Sequence, residues 1–254
     1  MRARPRIQDA GLIYHVTSRG TRRGEIYRSD ADRHHFLRFV DRACGVDGLI
    51  CHAYCLMGNH YHLLVEAPAG NLSVAMHRIN SGFAKHFNLE HDVEGHVFER
   101  RYRSWVMEGE ARAMEALRYV VRNPVRAGIC ATPEAWPWSS HAATAGIAPR
   151  PNFLTVGTVH GWFGATALEA TTNYQAFVDA GLDAPVERPT LEKLIDRGTL
   201  DEVATANETY GYSLREIAQL VGLSPATLSR RLRAGGGETL ASGSDVSGPG
   251  ATGP

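Results

Sequence analysis

Residues 49–67 read LICHAYCLMGNHYHLLVEA, and this stretch decides the fold. Two runs rich in apolar and aromatic residues flank Gly58-Asn59, a pair that is typical of a tight turn between antiparallel strands. The pattern therefore predicts strands at Leu49–Met57 and His60–Ala67, joined as a β-hairpin.

The second strand of this hairpin carries two histidines, two residues apart. Because alternate residues of a strand face the same side, His60 and His62 share one face with Leu64 and Glu66. Two neutral imidazoles that converge on one point are typical of a metal site. The same spacing also fits two hydrogen-bonded histidines on a half-exposed strand, so by itself it leaves both interpretations open.

Hydrophobic periodicity extends the hairpin into a larger fold. The order strand, helix, strand, strand, helix, strand, helix predicts an α+β class, with an antiparallel sheet and helices packed on one face. The remaining elements are expected to be a strand at Leu12–Ser18, helices at Ser29–Cys44 and Asn71–Asn88, strand structure within Val97–Val106, and a helix at Glu110–Asn123 that stops at Pro124.

The last of these helices carries a second pair of polar residues. Tyr119 and Asn123 are four residues apart, so they lie one turn from each other on the same helix face. Asn123 could offer a carbonyl oxygen to a hard cation, with the phenol of Tyr119 beside it. Alternatively, Tyr119 lies at the edge of the core and Asn123 caps the helix before Pro124.

Composition favours an ordinary globular protein. Of the 254 residues, 43% are apolar and 21% are charged. No run of about 18 apolar residues predicts a membrane helix, and no apolar signal segment follows the basic N-terminus, so a cytoplasmic protein is expected. Residues 1–130 hold 19 Lys/Arg against 14 Asp/Glu, whereas residues 131–254 hold 8 against 13. The first part is therefore basic, almost entirely through arginine, which matches phosphate geometry well.

Four motifs occur in an order that resembles a known family. They are YHVTSRG (14–20), YCLMGNHYHLLVE (54–66), RYVVRNPVRAG (118–128) and WPWSSH (136–141). Together they resemble the single-tyrosine HUH (IS200-like) transposases, in the branch of the REP-associated tyrosine transposases. The resemblance spans roughly residues 7–145. It implies a ferredoxin- or RRM-like sheet.

The resemblance also assigns roles to individual residues. It implies that His60, His62 and Asn123 hold one divalent cation, Mg²⁺ or Mn²⁺, and that Tyr119 is the nucleophile. The implied reaction cuts single-stranded DNA beside a REP-like hairpin and forms a covalent 5′-phosphotyrosine. Members of this branch tend to be monomers, so a monomer is expected here rather than a dimer. Arg118 or Arg122 could help Tyr119 to ionise, and Glu115 could accept its proton.

Arginines in two segments are candidate DNA contacts. Arg19 follows the first predicted strand, Arg22 and Arg23 lie in the loop between Gly20 and Gly24, and three more arginines surround Tyr102. Basic groups interleaved with an aromatic residue are typical of single-strand binding. These six candidate DNA contacts are Arg19, Arg22, Arg23, Arg100, Arg101 and Arg103. Arg122, on the predicted helix Glu110–Asn123, is a seventh candidate.

The C-terminal part predicts a separate small all-α domain. Residues 212–233 read YSLREIAQLVGLSPATLSRRLR, in which Gly222 marks a turn and Ser224-Pro225 begins a second helix. This pattern is typical of a helix-turn-helix whose second helix contacts duplex DNA through Thr227, Arg230 and Arg231. A helical hairpin without DNA contacts is the other interpretation. The expected divisions are a nuclease domain at 1–145, an accessory segment at 146–185, the helix-turn-helix at 186–234 and a glycine-rich disordered tail at 235–254.

Two other functions remain open from the sequence. A DNA-binding transcriptional regulator would use the helix-turn-helix with little or no catalysis. A structural Zn²⁺ protein is the weaker alternative, because no further Cys/His cluster completes such a site.

Overall fold

A computed structural model of the chain describes residues 10–183, 190–196, 198–208, 212 and 214–234. These residues form two compact units, one made of 10–183 and one made of the described residues from 190 to 234. The tail predicted at 235–254 lies outside the described residues. No helix in the described part of the chain combines the length and apolarity that a membrane span needs.

The first unit is built on a four-stranded antiparallel sheet. The hairpin predicted from residues 49–67 is present, with Gly58 and Asn59 in the turn between its strands. The order across the sheet is β2-β3-β1-β4. The strands are β1 Ile13–Arg19, β2 Ile50–Leu56, β3 His60–Glu66 and β4 Arg103–Val106.

Four long helices and two short ones belong to the same unit as this sheet. The predicted start of α1 is confirmed, because the Ser29 hydroxyl accepts a hydrogen bond from Asp32 N while the Asp32 carboxylate accepts one from Ser29 N. The helices are α1 Asp30–Asp47, α2 Leu72–Glu90, α3 Glu110–Arg126, α4 His141–Thr144, α5 Gly157–Gly161 and α6 Ala167–Asp183.

The prediction that α3 stops at Pro124 was wrong. The helix continues through Pro124 to Arg126. A proline in a helix removes the hydrogen bond that its own N–H would have donated to the carbonyl four residues earlier. Near a helix end that loss is confined to one bond, and the fixed φ of proline is compatible with the last helical turn.

The α+β class is confirmed, and each face of the sheet carries helices. On one face Val16, Tyr61 and Leu63 belong to the larger core, which α1 and α2 complete. The sequence predicted that all three long helices of this region, including the one at Glu110–Asn123, pack on one face, whereas the structure divides them between the two faces. Helix α3 lies on the opposite face, where Leu117, Val120 and Val121 share a second core with Cys55 and Leu64 of the sheet. The face that carries His60 and His62 is therefore the face that α3 covers.

The segment after α3 forms hydrogen bonds with the edge strand β2 and packs against α3. Leu56 N donates to Trp138 O, Ser140 N donates to Tyr54 O, and the Trp136 indole donates to Leu56 O. Side chains of α5 and α6 belong to the second core, which also contains residues of α3. One of them is Tyr174, whose hydroxyl lies 3.0 Å from His141 Nδ1. The accessory segment thus belongs to the same compact unit as the sheet.

The second unit consists of four short helices around a small apolar core. Gly222, with a φ of 68°, forms the turn between the last two helices, and Ser224 Oγ accepts a hydrogen bond from Thr227 N at the start of the last one. The core contains Val203, Ile217 and Leu228. The helices are α7 Leu191–Leu194, α8 Leu200–Glu208, α9 Leu214–Leu220 and α10 Pro225–Ala234.

Candidate active site

The four residues predicted for the catalytic set come from β3 and α3. The His60 and His62 rings have centroids 5.1 Å apart, and the ring of Tyr119 stands edge-on to His62 at 5.5 Å. Asn123 follows Tyr119 by one turn, and its Nδ2 donates to Tyr119 O at 3.1 Å. Because that bond occupies the amide nitrogen, the Asn123 carbonyl oxygen is the atom left for a ligand.

The tautomer of His60 follows from its neighbour Asn59. Asn59 Nδ2 donates to Arg23 O at 2.9 Å, which fixes the orientation of the amide. The Asn59 carbonyl oxygen therefore faces His60 Nδ1, 2.7 Å away, and can only accept. His60 Nδ1 must then carry the proton, and the lone pair lies on Nε2. Sequence reasoning treated Asn59 only as a turn residue.

A third histidine, His15 of β1, lies against His62. His15 Nε2 is 2.9 Å from His62 Nδ1, and the two rings stack with centroids 5.1 Å apart. His15 is buried, with 2% of its surface exposed. The motif YHVTSRG contains this residue, but sequence reasoning gave it no role.

The histidines of the site are neutral near pH 7. Burial and the charge of Arg19 lower the pKa of His60 to about 4. Burial lowers the pKa of His62 well below its ordinary value, and the neighbouring His60, His15, Arg19 and Arg126 act in the same direction. Neutral imidazoles keep the lone pair that metal binding requires.

This donor set fits a hard or borderline divalent cation. Two neutral imidazoles supply nitrogen ligands, and the carboxamide of Asn123 supplies an oxygen. Within the described residues, no three His, Cys, Asp or Glu side chains are grouped so that they could hold a metal. If His60 and His62 bind a cation, a third protein ligand from the described residues would be of another type, as Asn123 is.

The surroundings of Tyr119 differ from those expected. The guanidinium of Arg126 lies 4.7 Å from the centre of the Tyr119 ring. Arg118 instead donates to Glu115 at 2.7 Å and lies over Phe177, so neither Arg118 nor Glu115 is directed to the phenol in this structure. The signal for Arg126 was its position two turns after Tyr119 on the same helix, which sequence reasoning missed.

Two comparisons with known proteins gave a match. Residues 9–123 match the family model described as "Transposase IS200 like". This part of the chain is similar to IS200-like transposases. A solved structure of a REP-associated tyrosine transposase bound to a REP hairpin matches with a TM-score of 0.50 at 14% identity. The match covers 61% of this chain and 92% of that one, and it shows that the two share a fold. No curated protein matches the chain.

Two loops of the first unit bring the segments that hold the predicted arginines together. Thr21 N donates to Val97 O and Glu99 N donates to Arg19 O, both at 2.9 Å. The segment that holds Arg19, Arg22 and Arg23 therefore runs beside the segment that leads to Arg100 and Arg101. Arg22 and Arg23 are exposed and have left-handed φ values of 56° and 62°, which is uncommon for residues other than glycine.

The other predicted contacts are placed differently. Tyr102 is buried in the larger core with its hydroxyl 2.9 Å from Ser73 Oγ, so it is not a surface ring among the arginines. Arg122 is only 7% exposed and lies outside the exposed set. Arg103 is half-buried on β4. In the second unit Arg230 is exposed, while Thr227 and Arg231 are half-buried.

Glu66, which the strand pattern places on the same face as His60 and His62, bonds to a different histidine. Its carboxylate lies 3.3 Å from Nε2 of His52, a buried residue at the irregularity between Cys51 and Ala53 on β2. Glu66 therefore has a partner at the far end of the hairpin, away from its turn.

Gly20→Ala is expected to destabilise the first unit by about 1–3 kcal/mol. A Cβ at this position would overlap the carbonyl oxygen of Gly24 and lie 2.8 Å from Ile26 Cγ2, so the arginine loop would have to move. Gly58→Ala is the matched control, because a Cβ there meets nothing within 4 Å. Urea unfolding of both variants measures the difference, and equal midpoints would contradict the prediction.

The stability of the domain is expected to fall as the pH falls from 6.5 to 4. Burial lowers the pKa of His15 from 6.5 to about 4, so the unfolded chain binds a proton in this range that the folded chain does not. No stability is lost from this source above pH 6.5, and the loss reaches roughly 3 kcal/mol when the pH has fallen to the folded pKa. Urea unfolding in EDTA at several pH values should show a shallower pH dependence in His15→Gln. A slope equal to that of the wild type would contradict the assignment.

Proposed function

We propose that this protein is a metal-dependent single-stranded DNA endonuclease and strand transferase that acts through a covalent 5′-phosphotyrosine. The observation that carries the proposal is the position of Tyr119, whose ring lies 5.5 Å from His62 on the sheet face that also presents His60. A phenol beside two neutral imidazoles provides a nucleophile and a metal-binding face in one place.

The reaction follows from the chemistry of these groups. Tyr119 Oη attacks the phosphorus of the scissile phosphodiester in line, and the bond from phosphorus to the 3′ oxygen breaks. The phenol gives up its proton, the departing 3′ oxygen gains one, and the products are a 5′-phosphotyrosine and a free 3′-hydroxyl. The new linkage is again a phosphodiester. A 3′-hydroxyl from another strand can therefore reverse the step and rejoin DNA without ATP.

His60, His62 and Asn123 would hold the cation. When bound, a divalent cation supplies positive charge to a non-bridging oxygen of the phosphate, which favours attack. The protein adds charge of its own, because Arg19 pairs with His60 across β1 and β3 and Arg126 lies over the Tyr119 ring. Both guanidinium groups are placed to attract a DNA phosphate to the site.

Hairpin-containing single-stranded DNA is the proposed substrate. The solved structure with the same fold is described as bound to a REP hairpin. In this chain the exposed Arg22, Arg23 and Arg101 lie on two adjoining segments, next to the strand end that presents His60. Such clustered basic groups favour a nucleic-acid backbone. A monomer in the cytoplasm remains our prediction.

The proposal is tested with labelled single-stranded hairpins taken from DNA that flanks the gene. Incubation with Mn²⁺ should give a covalent protein–DNA band on a denaturing gel and a free 3′-hydroxyl product. EDTA should remove both. A panel of hairpins that binds tightly in Mn²⁺ and never gives a covalent band would contradict the proposal and favour the transcriptional regulator.

Duplex DNA binding by α10 is a second proposed activity. The helices α9 and α10 pack on a common core through Ile217 and Leu228, and a turn at Gly222 joins them, which is the arrangement of a helix-turn-helix. The double change of Arg230 and Arg231 to alanine is expected to weaken duplex binding at least about tenfold, because it removes two cations from α10. Lys193→Ala, on α7, is the control. Gel-shift titration at fixed salt measures both, and equal losses in the two variants would contradict a role for α10.

A further inference from the structure

His15 is placed to control the chemistry of His62. The two rings belong to neighbouring strands, since β1 and β3 pair antiparallel with Thr17 opposite His62. The 2.9 Å separation of His15 Nε2 and His62 Nδ1 is that of a hydrogen bond. Both side chains are buried, with 2% and 4% of their surfaces exposed, so water does not compete freely for this bond.

The hydrogen bond allows two arrangements of protons between neutral rings. In the first, His62 Nδ1–H donates to His15 Nε2, and the lone pair of His62 lies on Nε2. In the second, His15 Nε2–H donates to His62 Nδ1, and His62 Nε2 carries a proton. Only the first leaves His62 able to bind a cation, because Nδ1 is occupied in both.

The rings around His15 fix its position. Its centroid lies 5.4 Å from that of Trp105 on β4 and 5.7 Å from that of Tyr119 on α3. The His15 ring therefore lies on the sheet face that α3 covers, close to Tyr119. This packing directs Nε2 of His15 toward His62.

We propose that His15 is a positioning residue that accepts the Nδ1 proton of His62 and so presents the Nε2 lone pair of His62 to the cation. This inference rests on the proposed function, because it assigns a ligand atom of that site. It gives His62 the same arrangement that the Asn59 carbonyl imposes on His60. Each of the two histidines then has a partner at Nδ1 and presents Nε2, which is how ligands are commonly oriented in metal sites.

The tautomer of His62 can be read without metal or DNA. Long-range ¹H–¹⁵N spectra of the metal-free protein at pH 7.5 should show His62 as the Nδ1–H tautomer. His15→Phe keeps an aromatic ring but has no acceptor, and it should shift His62 toward Nε2–H, the form that isolated imidazoles favour. His15→Gln retains an acceptor near the position of Nε2 and should keep Nδ1–H. An Nε2–H tautomer in the wild-type protein would overturn the proposal, even if the phenylalanine variant fails to fold.

Mn²⁺ titration by calorimetry supplies the second readout. His15→Phe should bind Mn²⁺ about 10–100-fold more weakly, and His15→Gln should stay within about threefold of the wild type. Wild-type affinity in His15→Phe would overturn the positioning role while leaving the proposed function intact. A wild-type protein that has the Nδ1–H tautomer and binds no Mn²⁺ would instead contradict both the positioning role and the proposed function. The two failures are therefore distinguishable.

Discussion

Tyr119→Phe should abolish the covalent DNA adduct, with a loss of at least about a thousandfold in the rate of strand cleavage. The change removes the attacking oxygen and nothing else from the ring. Phenylalanine keeps the edge-on contacts with His62 and His15, so the site should retain its shape. Hairpin binding should stay within about threefold of the wild type, because the charges that attract DNA are untouched.

Tyr102→Phe is the control for this experiment. It makes the same chemical change on the opposite side of the sheet, where the Tyr102 hydroxyl bonds Ser73 in the larger core. It should cost about 1 kcal/mol of stability and leave the adduct unchanged. Quantitative gel analysis of adduct against time separates the two variants. An adduct that persists in Tyr119→Phe and maps to another tyrosine by mass spectrometry would refute the assignment of the nucleophile.

Replacing His60 and His62 together with alanine should lower cleavage at least about a hundredfold and abolish Mn²⁺ binding. Both nitrogen ligands are lost, and the single carboxamide of Asn123 cannot hold a cation alone. His86→Ala is the control, because His86 is a half-buried histidine stacked on His35 at 3.8 Å, between α1 and α2. Calorimetry with Mn²⁺ and a cleavage assay measure the two effects.

Treatment of the wild-type protein with EDTA distinguishes a catalytic cation from a structural Zn²⁺ site. A catalytic cation contributes to the reaction more than to folding, so EDTA should stop cleavage and shift the melting temperature by only a few degrees. A structural site would make the fold depend on the metal. Loss of the folded state in EDTA would therefore favour the structural alternative over the catalytic one.

The sequence could predict those features of the site that depend on a single strand or a single helix. Strand alternation placed His60 and His62 on one face, and helical spacing placed Asn123 one turn after Tyr119. The roles of these residues in the chemistry remain predictions. The fold class followed from the order of elements in the same way, and the Gly58-Asn59 turn followed from local backbone preference.

What the sequence could not predict depends on pairing between distant segments. His15 reaches His62 because β1 pairs with β3 in one particular register, and Asn59 reaches Arg23 because a loop folds back on the hairpin turn. The sequence pattern suggested that Tyr102 is a surface ring among arginines. In the structure its hydroxyl bonds Ser73 of α2 and its ring is buried in the larger core. Burial of Arg122 is likewise a property of packing rather than of local pattern.

The bond from Asn59 to Arg23 O constrains how this protein can change its target. The backbone at residue 23 supports the amide that orients His60, while the Arg22 and Arg23 side chains are exposed. Under the proposed function, substitution of those two side chains by residues that tolerate the left-handed backbone would alter which DNA is contacted without displacing the Arg23 carbonyl. An insertion or deletion in the same loop would displace the carbonyl and impair cleavage on every substrate. Divergence in DNA preference along this lineage should consequently proceed by substitution at these positions and not by changes in loop length.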